Sequence, residues 1–100
     1  MNAIASPLTF PDKLLIGGEL VTGDGIAEPI LNPATGEAVC SVKEASIEQI
    51  DAAVHSASAA FPAWSRTTPA QRSALLLEIA TSIDQQADYL AGLEAVNCGK

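Results

Sequence analysis

The residues with reactive side chains are few: Cys40, Cys98 and a single histidine, His55. A cysteine becomes a nucleophile only as a thiolate, which requires a neighbouring base, a cation or a helix N-terminus. Cys98 falls in the last turn of a helical pattern, where the helix dipole opposes a negative charge. Cys40 alternates along a strand pattern and reads as a small apolar residue. His55 has Asp51 four residues before it, the spacing of an exposed helical charge pair rather than of a general base. No nucleophile, base and orienting acid assemble from this set.

Ligand-binding patterns fare no better. Gly23-Asp24-Gly25 starts like a dinucleotide loop, but Glu28 holds the third position and a turn between strands follows, not a strand-to-helix junction. One histidine and two scattered cysteines cannot complete a zinc site. Phe61 and Trp64 fall on an apolar helix stripe and fit packing better than base stacking.

The elements that would position any site come in two halves. Met1 to Lys13, with Pro7 and Pro11, reads as an extended arm. Leu14-Leu15-Ile16 and Leu20-Val21 flank Gly17-Gly18 as short strands, and Asp24-Gly25 is a dipeptide favoured in hairpin turns. Ile30-Leu31 and Ala38 to Val42 pair across Asn32-Pro33-Ala34-Thr35-Gly36-Glu37. In this turn Asn32 bonds its own backbone, Pro33 presets φ, and Gly36 takes the left-handed conformation.

The period changes at Ser46, whose capping box with Gln49 starts a helix. Its apolar stripe runs through Ile47, Ile50, Val54, Ala57, Phe61 and Trp64, and Pro62 is expected to end or kink it. Thr68, Pro69 and Gln71 repeat the start signal. The buried face of this second helix is read as Leu75, Leu76, Ile79, Ala80 and Ile83. A break falls near Asp84 to Gln86, and Gly99 closes the last turn as a C-cap. The fold expected is short antiparallel strands followed by two to three α-helices.

Composition bounds the partners. Of 100 residues, 48% are hydrophobic, many of them alanine, so the core would be thin. A net charge of −7 repels phosphate backbones and anionic lipid, which argues against nucleic-acid and membrane partners. With no leader or spanning segment in the sequence and two unpaired cysteines, the expected location is cytoplasmic.

Several segments in order resemble the N-terminal region of the NAD(P)-dependent aldehyde dehydrogenase superfamily. They are Ile16-Gly17-Gly18-Glu19, the Asn32 to Glu37 turn, Ala52-Ala53-Val54 with Ala59-Ala60-Phe61 and Trp64, Arg72 with Leu75-Leu76, and Leu93-Glu94 with Gly99-Lys100. Asn97-Cys98-Gly99-Lys100 looks most like the γ-aminobutyraldehyde (1-pyrroline) dehydrogenase branch. The resemblance implies that residues 14–100 are an incomplete piece of a Rossmann-like, α/β cofactor-binding domain. The implied whole is a homodimeric or homotetrameric enzyme that oxidises a small aldehyde, such as 4-aminobutanal, to the carboxylate with NAD. In such enzymes a cysteine thiolate attacks the aldehyde, hydride passes to the nicotinamide, and a glutamate-activated water releases the acid. Those residues would lie beyond Lys100, so no catalytic or cofactor-binding residue is assigned to this chain.

One site carries over. Family members hold a monovalent cation through backbone carbonyls just before Asn-Pro and an acidic side chain before the terminal Gly-Lys, positions that match Ile30, Leu31 and Asn97. Asn97 offers an oxygen but no charge, so this cation site would be weak or absent. Betaine-aldehyde or broad-range dehydrogenases remain as alternatives within the family. A noncatalytic binding or assembly module remains as the alternative outside it.

Overall fold

The computed structural model describes residues 8–100, so most of the N-terminal arm falls outside it; Leu8 to Lys13 have no helix or strand. Two separate antiparallel hairpins follow. The first pairs β1 (Leu14–Ile16) with β2 (Glu19–Val21), and the second pairs β3 (Ala27–Leu31) with β4 (Ala38–Lys43). Three helices complete the chain: α1 (Ile47–Ser65), α2 (Pro69–Gln85) and α3 (Ala87–Cys98).

The first hairpin turns at Gly17-Gly18, both at positive φ, 62° and 80°, the geometry that matches strand twist in a two-residue loop. Asp24-Gly25 is therefore not a hairpin turn. It is a bend between the two sheets, and the Gly25 N–H donates to the Glu44 carbonyl at 2.7 Å. β3 starts at Ala27, earlier than the apolar pair Ile30-Leu31 suggests, and it runs through Pro29 opposite Ser41. A proline is tolerated because each strand of a two-stranded sheet is an edge.

Both helix starts follow their sequence signals. Ser46 Oγ accepts the Gln49 N–H at 3.1 Å, and Thr68 Oγ1 accepts the Gln71 N–H at 3.1 Å; each glutamine returns a bond to its cap's backbone N–H. Pro62 does not end α1, which continues to Ser65. The missing N–H removes one rung of the ladder, and Ser65 Oγ donates to the Pro62 carbonyl at 2.8 Å one turn later. Arg72 then folds back over the α1–α2 connection, its Nη1 donating to the Thr67 carbonyl at 2.6 Å. The break between α2 and α3 falls at Gln86, whose backbone leaves the helical region at φ −110° and ψ 18° although its N–H still donates to the Ser82 and Ile83 carbonyls.

The expected buried faces are not buried. Among the described residues no hydrophobic side chain forms a core, and the stripe residues stay open: Ile47 is 75% exposed, Phe61 65% and Leu76 66%. The radius of gyration is 17.5 Å, against about 13 Å for a compact domain of this length. The helices are amphipathic as read, but nothing here covers their apolar sides. No helix among the described residues is long and apolar enough to cross a membrane.

Candidate functional site

Two of the places where chain segments far apart in sequence meet tightly involve the motifs singled out above. At the first, the Asn32 to Glu37 turn lies against the end of α3. Asn32 Oδ1 accepts the Ala34 N–H at 2.9 Å, and the Asn32 carbonyl accepts the Gly36 N–H at 2.7 Å, with Gly36 left-handed at φ 75°. Gly99 is left-handed as well, at φ 78°, and the Lys100 N–H closes back to the Ala95 carbonyl at 2.8 Å. A β-carbon on Gly99 would stand 2.9 Å from the Ala34 nitrogen and 3.2 Å from Pro33 Cβ. Glycine is required there twice over, by its φ and by the approach of the turn.

The second place is the start of α1. Gln49 Oε1 accepts from the backbone N–H groups of both Ser46 and Asp24, at 3.0 and 2.9 Å. Its Nε2 donates to the Thr22 carbonyl at 2.9 Å. One side chain thus caps α1 and ties the β2–β3 connection to it. The capping box was legible in the sequence; the second pair of bonds was not, because it joins residues 25 and 27 positions apart. Beside it, a β-carbon on Gly23 would lie 2.3 Å from the Lys43 carbonyl oxygen and 2.4 Å from that of Glu44. The glycines of Gly23-x-Gly25 therefore serve backbone packing. They leave no room for a pyrophosphate at this bend and lead into β3, not into a helix.

A cavity of about 330 Å³ lies between the β3–β4 hairpin and α3, lined in part by Ile30, Cys40, Leu93, Glu94 and Asn97. It brings together two of the three candidate cation-site residues, Ile30 and Asn97. Leu31 is not in the lining and is 51% exposed, and the β3–β4 register shifts between Ile30 and Leu31. No group of three histidine, cysteine or acidic side chains suited to a metal occurs among the described residues.

The reactive side chains are quiet. Cys98 Sγ donates to Glu94 Oε1 at 3.1 Å, and that hydrogen bond, then partial desolvation and the carboxylate's charge, hold the thiol above its ordinary range. A thiol held protonated is a poor nucleophile. Cys40 is half-buried and free, and His55 is exposed on α1. Glu44 is also raised, first by the hydrogen bond its protonated carboxyl can donate to Glu28, then by the Glu28 charge and by desolvation. Sequence reading missed that pair, which joins Glu28 on β3 to Glu44 just past the end of β4.

Residues 21–100 match the model of the aldehyde dehydrogenase family. The chain is 38% identical over 96 residues to a phenylacetaldehyde dehydrogenase of Pseudomonas fluorescens, covering 93% of this chain and 19% of that protein. It is 36% identical over 74 residues to a 4-trimethylaminobutyraldehyde dehydrogenase B of Danio rerio, covering 74% and 14%. Its backbone is similar to the crystal structure of an NAD-dependent benzaldehyde dehydrogenase from Corynebacterium glutamicum, with a TM-score of 0.71, 33% identity, and coverage of 75% and 17%. The chain thus spans no more than about a fifth of the length of these proteins.

Proposed function

Because this chain belongs to the aldehyde dehydrogenase family, matched over residues 21–100, we propose that it is one segment of an NAD-dependent enzyme that oxidises a small aldehyde to its carboxylate. The family match carries this reading. Within it the segment is scaffold for a Rossmann-like cofactor domain and contributes no reacting atom. The state of its side chains supports that: Cys98 is held protonated by Glu94, and the Gly23-x-Gly25 bend is filled by backbone. The catalytic residues then belong to the remaining length that the relatives have and this chain does not.

The substrate we assign is an aminoaldehyde such as 4-aminobutanal. Two features support it: the Asn97-Cys98-Gly99-Lys100 end, and similarity to a protein named for a trimethylamino-substituted butyraldehyde. Initial rates of the longer protein on 4-aminobutanal, betaine aldehyde and simple alkanals test it. The highest kcat/KM is expected on 4-aminobutanal, and a preference for either other class replaces it with the betaine-aldehyde or broad-range reading. Loss of all dehydrogenase activity would favour an assembly module instead.

A weak monovalent-cation site at Ile30, Leu31 and Asn97 is a second proposal, supported by the shared cavity of Ile30 and Asn97. Without a carboxylate, a hard cation gains only neutral oxygens. Little or no difference in stability between potassium and a large organic cation is expected, and a strong potassium-specific gain would reject the weak site.

A further inference from the structure

Leu8 to Lys13 have no secondary structure of their own, yet they are held at both ends. On α3 the Tyr89 hydroxyl donates to the Thr9 carbonyl. One turn on, Gly92 leaves a notch filled by Leu8: a β-carbon there would lie 3.3 Å from Leu8 Cδ2. At the other end Lys13 Nζ donates to Thr22 Oγ1 at 2.7 Å, fixing the segment to the first hairpin. Between these anchors Phe10 and Pro11 form one wall of the cavity that holds Cys40 and Asn97.

We infer that Leu8–Pro11 is a strap that closes this cavity, and that its release from Tyr89 and Gly92 is what opens Cys40 to solvent. The α3 anchor is the weak one. It consists of one hydrogen bond and one side chain in a notch, with no ladder behind them, and such attachments open locally well before a whole domain unfolds. The strap governs entry to the Asn97 cavity whether a cation or water occupies it, so the inference does not depend on the substrate assignment.

Cys40 supplies the readout. In the longer native protein, iodoacetamide labelling of Cys40 is read on the tryptic peptide from Leu14 to Lys43, and that of Cys98 on the peptide beginning at Ser73. Tyr89→Phe removes only the hydroxyl and should raise the Cys40 rate about fivefold, the factor that one net hydrogen bond of roughly 1 kcal/mol represents. Adding Leu8→Ser should raise it further. Cys98, outside the cavity lining, should change by less than about twofold, since one local opening leaves the rest of the fold closed. An unchanged Cys40 rate in both variants overturns the strap, and so does a parallel rise at Cys98, which would mean general loosening.

Discussion

The junctions and the helix faces of this chain are built to opposite standards. At the junctions backbone meets backbone: Gly23 against the Lys43 and Glu44 carbonyls, Gly99 against Ala34, and Gln49 bonded to three separate main-chain groups. On the faces, Ile50, Val54 and Phe61 line up at helical spacing and remain 53%, 65% and 65% exposed. The difference lies in where the partners are. A cap, a turn or a glycine notch is completed by residues this chain contains, whereas an apolar stripe needs another layer. The chain is therefore locally specified while its apolar faces lie uncovered, and it spans no more than about a fifth of the length of its relatives.

The sharpest way to break the comparison is Gly23→Ala. The new methyl group would have to displace two backbone carbonyls, not the tip of a flexible side chain, and overpacking of this kind costs about 3 kcal/mol. Amide exchange should show it as lost protection at Gly25 and Glu44, whose N–H groups bond across the same gap. Unchanged protection there would mean that the bend is loose and the junction is not tightly specified.

Gln49→Ala should cost about 2 kcal/mol, combining a lost cap interaction with unpaired main-chain groups at Thr22 and Asp24. Glu in the same place would still accept from Ser46 and Asp24 but could not donate to Thr22, so Gln49→Glu should fall between the two. Equal protection of the first turn of α1 in all three proteins would show that Gln49 is an ordinary cap. Gly36→Val comes next, at about 1–2 kcal/mol for a side chain forced into left-handed backbone. The Asn32 N–H, which bonds the Glu37 carbonyl at 2.8 Å, reports it.

How much of this was legible follows the same division. The Asn32 to Glu37 turn, both capping boxes and the Gly99 cap were readable because each signal closes within about five residues. Asp24-Gly25 misled because a turn-forming pair states that the chain bends, not that the flanking strands pair. Of the two outcomes expected at Pro62, an end to the helix did not occur, because one missing N–H costs a rung but does not stop α1 short of Ser65. The Gln49 bonds to Thr22 and Asp24, the Glu28–Glu44 pair and the Leu8–Gly92 contact have no local signature at all. The apolar faces were readable and their cover was not: periodicity says which side is apolar, never whether anything lies against it.

The smallest expected effect is therefore on a large residue. Phe61→Ala in the isolated chain should change the exchange protection of α1 by less than about 0.5 kcal/mol, because an exposed ring has little burial to lose. In the longer protein the same substitution should cost about 3 kcal/mol or more, the figure for removing a buried phenylalanine, if the missing layer covers this face. The contrast between the two proteins is the decisive quantity. Equal small effects would mean that the α1 face stays open in the longer protein, and equal large effects that the chain already packs this ring against itself. Either would end the separation between finished junctions and unfinished faces.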